Sequence, residues 1–230
     1  MNWSQKNLAI VALILVGIAP TASIFATFGT GEGWWGSIAW MATKLWMCGL
    51  PFWWLLKIDK GKISWSKPRL GGLGAGFLLG TVFALVMLLA WFFLGEQRVD
   101  KEEFRSALAP FGLTNVSTYL AAALFWTAVN SVLEEYVFRW FLVEKGEMIF
   151  GSPTVTMCVS AGIFVLHHFF ALHFLGFPIA LNLLACFGLF IAAVAFSWLY
   201  LQYRSIWVPY LTHAMCDVVV FWVGYIILFG

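Results

Sequence analysis

Three polar words interrupt an otherwise apolar C-terminal half: EEYVFR (Glu134 to Arg139), FVLHH (Phe164 to His168) and THAMCD (Thr212 to Asp217). On a helix, residues four apart share a face. Glu135 and Arg139 can therefore form an ion pair that offsets part of the cost of burying both. Glu134 points about 100° away from Glu135 and is left without a local partner, so it seeks a water or a histidine on another helix. A carboxylate and an imidazole sharing one water can take a proton and return it, which is general acid–base chemistry. His213 and Asp217 are again four apart, so the carboxylate could accept from the ring and fix its tautomer. Taken singly, the Glu135–Arg139 pair reads as structural glue and one such histidine as an interhelical hydrogen bond. Their joint occurrence on three segments is harder to explain by structure alone.

The segments that must position these groups are membrane spans. The chain has 230 residues, 62% hydrophobic and 10% charged, where a soluble domain carries about 25% charged residues. That composition predicts an all-α fold, a polytopic membrane helical bundle of about seven to eight transmembrane helices forming a single membrane domain over residues 1–230. Hydropathy places seven spans near Leu8–Phe28, Trp34–Leu56, Gly71–Leu94, Val116–Leu142, Thr154–Leu175, Pro178–Leu201 and Trp207–Phe229. The first is long enough to be a retained helix rather than a cleaved secretory signal. A net charge of +2 and the lack of a basic run interleaved with aromatics, apart from one short loop at Lys57 to Arg69, exclude nucleic acid as a partner. Cys48, Cys158, Cys186 and Cys216 lie in apolar runs without CxxC spacing and read as small buried hydrophobes.

Inside these spans stand Lys44, Glu134, Glu135, Arg139 and Asp217, and the four histidines His167, His168, His173 and His213 fall in the fifth and seventh. A charge at mid-bilayer costs about 2.5–3.5 kcal/mol even on the lenient insertion scale, so the costly groups converge on spans four, five and seven. Lys44 is either a partner for Asp217 or a break in the second span. The connection from Lys57 to Arg69 holds five Lys or Arg against one Asp, which places it and the N-terminus in the cytoplasm. Threading alternately puts eight basic residues inside, including Lys6, Lys145 and Arg204, against Arg98, Lys101 and Arg105 outside. The polar connection from Glu96 to Asn115 is expected to be a solvated loop, with a short surface helix over EEFRSALAPFG as the alternative. The glycines of GGLGAGFLLG (Gly71 to Gly80) are expected to let helices approach closely.

The three words also resemble a known family. EEYVFR fits EExxxR, Phe164 with His168 fits FxxxH, and His213 with Asp217 fits Hxxx(N/D), in the order and spacing of the CPBP intramembrane peptidases, which include the CAAX prenyl endopeptidases and bacteriocin-processing and immunity proteins. FRWFL after the glutamates and RSIWVPYLTHA before the last histidine match as well. The resemblance divides the domain into N-terminal helices without a recognised motif, residues 1–115, and a CPBP-like catalytic core, residues 116–230. It implies an intramembrane endopeptidase in which Glu134 and His168 activate the attacking water. Glu135 would hold Arg139 and orient the site, and His213 with Asp217 would stabilise the oxyanion. The substrate would be a membrane-associated or lipidated peptide, such as a prenylated CAAX-type C-terminus. In a prokaryote the location would be the inner membrane.

The prenyl peptidases typically carry Asn where this chain has Asp217. An aspartate donates to an oxyanion only when protonated, or it keeps His213 charged so that the ring donates. His167 and His173 compete with His168, since Phe169 and His173 also satisfy FxxxH. The family implies no cofactor, although Glu134, His168 and His213 would suit zinc with an open position for water. Two other functions use the same residues: a bacteriocin-immunity or adaptor protein that does not hydrolyse, and a proton-coupled transporter, which would call for an inverted repeat that the sequence does not display. One conflict remains at this level. His168 lies about 20 Å along its helix from Thr154, whereas Glu134 and His213 fall nearer the inner surface, so either the fifth helix starts in the cytoplasm or the span edges shift.

Overall fold

The computed structural model describes residues 3–29 and 34–230. Helix α1 (Trp3–Gly29) crosses the bundle and α2 (Trp34–Lys57) returns beside it; α3 (Leu73–Ala90) follows after a long loop. A short α4 (Lys101–Leu108) leads to α5 (Val116–Phe125), α6 (Ser131–Glu135) and α7 (Val143–Phe150), which π-helical turns at Trp126–Asn130 and Tyr136–Leu142 join into one rod. Then come α8 (Pro153–Phe174), α9 (Ile179–Tyr203) and α10 (Trp207–Phe229), and no strand occurs among the described residues. Among the described residues, six stretches are long and apolar enough to cross a membrane: Ser4–Gly29, Leu73–Gly95, Val116–Phe150, Pro153–Phe174, Ile179–Tyr203 and Trp207–Phe229. Their outward faces are apolar, as at Leu78, Phe93 and Phe187, which suits lipid contact. The chain is a multi-pass membrane protein.

The expected second span is helical throughout, with no break at Lys44. It is not among the six because six tryptophans and Lys44 dilute its apolar content. It nevertheless has 24 residues beside the 27 of α1, and about 20 suffice to span. At one end of the bundle Gln5, Leu8, Asp59 and Lys145 line one cavity of about 340 Å³; at the other Phe28 packs on Phe111 and Phe174. The first end gathers the basic connection as well. Lys145 Nζ meets Asp59 at 2.6 Å, Arg204 makes two bonds to Glu147 at 3.0 and 3.2 Å, and Trp207 Nε1 donates to the Trp65 carbonyl at 2.8 Å. The loop after α2, Lys145 and Arg204 thus share one end, as alternate threading requires. Of the cysteines, Cys186 and Cys216 are buried and Cys48 half-buried, but Cys158 is exposed, so the expectation of four buried cysteines fails there.

The expectation of a loop from Glu96 to Asn115 is also corrected. The Asp100 carboxylate accepts from the backbone N–H groups of Glu102 (2.9 Å) and Glu103 (3.1 Å), an N-cap that starts α4. Phe104 is buried beside Tyr119, Ile227 and Leu228, and Gly112, at φ 69°, ends the segment. A cap at one end and one buried aromatic on the inner face are enough to turn a polar connection into a surface helix.

The element that matters most for the site is the hairpin formed by the α5–α7 rod and α8. Gly151 (φ 62°) makes the turn, the Ser152 hydroxyl accepts from Val155 N, and Pro153 occupies the first turn of α8. Glu134 lies seventeen residues before Gly151 and His168 seventeen after it. They are therefore level, and the depth conflict disappears because the fourth span continues to Phe150 rather than ending at Leu142. On the other side, α10 is held against α3 at two glycines. A Cβ on Gly76 would lie 2.7 Å from the Val208 carbonyl, one on Gly80 would lie 2.6 Å from Met215 Sδ, and Thr212 Oγ1 donates to the Gly76 carbonyl at 2.8 Å. The residue after Thr212 is His213, so this contact sets where the last histidine stands. Gly76→Val is expected to destabilise the protein by about 1–3 kcal/mol through overpacking, read as a lowered melting temperature in detergent; an unchanged value would show that the helices can separate freely.

Candidate active site

Four helices bring the ionisable groups together. Ser131 to Glu135 forms a single α-helical turn between two π-helical stretches. A π-turn widens the helix and shifts the residues after it around the axis, so both glutamates turn inward and are buried, Glu135 at 0% exposure. Arg139, also at 0%, reaches back from the second π stretch to Glu135 Oε2 at 3.2 Å. Its guanidinium lies over the rings of Phe164 (4.6 Å), Phe196 (5.1 Å) and Phe138 (5.7 Å), an aromatic cage that replaces part of the lost hydration. Phe164 thus has a role beyond filling space, because its ring also packs on His168 (4.5 Å) and His213 (5.7 Å).

The expected pairing of His213 with Asp217 is not what fixes the ring. His213 Nδ1 stands 2.8 Å from Glu135 Oε1, whereas Nε2 is 3.6 Å from both Glu134 Oε2 and Asp217 Oδ1. Glu135 therefore serves two partners, Arg139 through one oxygen and His213 through the other. With Nδ1–H donated to Glu135, Nε2 is an acceptor in the neutral ring and a donor in the charged one. Asp217 instead meets Ser131, whose hydroxyl also lies 2.9 Å from the Trp126 carbonyl. A hydroxyl carries one proton, so both contacts are satisfied together when Asp217 bears a proton and donates it to Ser131.

Glu134 is not without a local partner, contrary to the expectation from spacing. Asn130 Nδ2 donates to its Oε1 at 2.8 Å from one turn earlier, and Asn130 Oδ1 accepts from Lys44 Nζ at 2.8 Å. Lys44 does not pair with Asp217. Asn130 stands four residues before Glu134, the spacing that also pairs Glu135 with Arg139, but it carries no charge to mark it as a partner. Ser131 and Lys44 reach their partners across helices, where spacing along one chain gives no signal.

Of the histidines, His168 has Nδ1 2.9 Å from the Phe164 carbonyl, which leaves Nε2 for the site. His167 is buried and stacked on Phe138, with its ring centre 4.0 Å from that of His168, whereas His173 is exposed and touches Phe174. Glu134, His167 and His168 offer ligand atoms within 4.8 Å of one another. One carboxylate and two imidazoles are a donor set that suits zinc, and the cluster fits such an ion with His167 in the place that the sequence assigned to His213. His213 is engaged with Glu135 instead.

A family model described as type II CAAX prenyl endopeptidase Rce1-like matches residues 116–219, which include all three polar words and the α5–α8 hairpin. No curated protein and no solved structure matches the chain. The buried pair is the most stringent test of this arrangement. Arg139→Met leaves Glu135 Oε2 without its cation in the core, with His213 as the one remaining partner of the carboxylate, and is expected to cost about 3–5 kcal/mol, measured by unfolding in detergent. Adding Glu135→Gln to it should recover part of that loss, and a double variant as unstable as the sum of the singles would mean that the two do not act as a pair.

Proposed function

We propose that the protein is an intramembrane endopeptidase whose nucleophile is a water activated by Glu134 and His168, a reading supported by the match of residues 116–219 to the type II CAAX prenyl endopeptidase Rce1-like family model. The observation that carries this reading is the meeting of Glu134 and His168 from opposite arms of one hairpin, with His213 Nε2 3.6 Å from the same carboxylate. A water between Glu134 and His168 gives its proton to Glu134 as its oxygen bonds to the scissile carbonyl carbon. The oxyanion that forms is stabilised by Nε2–H of charged His213, with Asp217, whose proton is committed to Ser131, supporting the ring from its place 3.6 Å from Nε2. When the C–N bond breaks, Glu134 returns the proton to the leaving amine. Arg139 stays outside the chemistry and holds Glu135, which aims His213.

The substrate in this reading is a membrane-associated or lipid-modified peptide. A site enclosed by apolar spans is reached most directly by a chain already partitioned into the bilayer, and the family name points to prenylated CAAX-type C-termini. The grouping of Glu134, His167 and His168 favours a second reading, in which these residues hold zinc. The ion would supply Lewis-acid activation of water, leaving His213 and Asp217 in the same roles. Hydrolysis of a fluorogenic farnesylated CAAX-type peptide by the purified protein, wild type beside Glu134→Gln and each with and without chelator, tests both. Glu134→Gln is expected to lower the rate by about 10²–10⁴-fold while the protein remains folded, with wild-type cleavage resistant to chelation. Loss on chelation would select zinc, and activity retained by the variant would overturn the role of Glu134.

A further inference from the structure

We propose that Lys44 and Asn130 form a positioning relay for Glu134, so that α2, which lies outside the family-matched region, completes the active site. The inference rests on the reading of Glu134 as general base. Lys44 stands near the middle of α2, half-buried, with its ammonium 5.9 Å from the ring centre of Trp40. A lysine at such a depth is costly, and a structural remedy would set a carboxylate directly against it. Among the described residues Lys44 makes no ion pair. Its Nζ donates instead to Asn130 Oδ1 at 2.8 Å, and Asn130 passes the contact to Glu134 Oε1, also at 2.8 Å.

The chemistry fixes the direction of this chain. Lysine only donates and an ionised carboxylate only accepts, so the amide of Asn130 has one orientation that serves both, with its oxygen toward Lys44 and its NH₂ toward Glu134. Asn130 is 5% exposed and closes the first π-helical turn, so water does not compete with either bond. The consequence is a division of labour between the carboxylate oxygens of Glu134. Oε1 is held by the relay, and Oε2, the oxygen facing His213 Nε2, is left to take the proton. Without the relay the carboxylate can rotate about its last bond and present either oxygen, and a general base must be held in reach of the proton that it abstracts.

The test compares Lys44→Met, Asn130→Ala, the double variant and Lys44→Arg in the full-length protein. Each of the first two is expected to lower kcat about tenfold, the size of one lost charged hydrogen bond, with KM within about twofold. The double variant should fall no further than the worse single, because both remove one chain, and Lys44→Arg should recover most of the rate. Additive losses, or a loss that follows only the folded fraction, would overturn the relay. A second readout does not depend on turnover: the carboxylate stretching band of Glu134, isolated as the infrared difference between a protein and its Glu134→Gln counterpart. That band should shift in Lys44→Met and in Asn130→Ala and stay fixed in Thr43→Val, whose native hydroxyl bonds carbonyls of its own helix. If the wild type fails to cleave the peptide yet the band shifts, the peptidase reading falls and the relay stands. A fixed band in Lys44→Met, or an equal shift in Thr43→Val, overturns the relay.

Discussion

A carboxylate with no exposure to solvent, Glu135, binds Arg139 through one oxygen and His213 through the other. Every other part of the site is arranged around that double contact. Burying a carboxylate in a membrane protein is tolerable only when it is paired and hydrogen-bonded, so Glu135 forces α6, the second π stretch and α10 into one relative position. The aromatic rings around Arg139 then extend the constraint to α8 and α9 through Phe164 and Phe196. The residues assigned to the chemistry stand on the rim of this brace. Glu134 is its sequence neighbour, His168 is one turn from Phe164, and His213 is itself one of the two partners.

The π-helical stretches on either side of α6 bear on how adjacent glutamates can do different work. Glu134 and Glu135 lie within one α-helical turn and point about 100° apart. The widened turns set that whole turn about the helix axis, so that both side chains are buried, one toward the brace and one toward the hairpin partner. Such turns are rare and concentrate at functional sites. They also carry a local cost, because each leaves the backbone ladder out of its best register; here Ser131 Oγ helps by bonding the Trp126 carbonyl inside the first of them.

Much of this arrangement is legible in the sequence, for identifiable reasons. Membrane helices are legible because apolar length is a direct physical requirement, and the convergence of charge on three segments is legible because buried charge is costly. Glycine packing at Gly76 and Gly80 followed from the same kind of argument. The bonds of Glu134 to Asn130 and of His213 to Glu135 are not legible there, because spacing on one helix says nothing of what a neighbouring helix offers, and because neutral Asn130 lacks the charge that marks a costly buried group. The π turns left no periodic signal that a four-residue rule could detect. The helix over Lys101–Leu108 stands only as the alternative to a loop in the sequence, since its single buried aromatic, Phe104, is a weak cue beside so many exposed polar residues.

The turn at Gly151 has a consequence for how such proteins can vary in length. Glu134 and His168 face each other because the two arms between them and the turn have equal numbers of residues. One residue gained in a single arm would rotate everything beyond it by about 100° and advance it by about 1.5 Å, separating the pair. Growth or shortening is compatible with the site only when whole helical turns enter or leave both arms together. The long connection between α2 and α3 carries no such restriction, so divergence in length is expected to accumulate there while the hairpin keeps its measure.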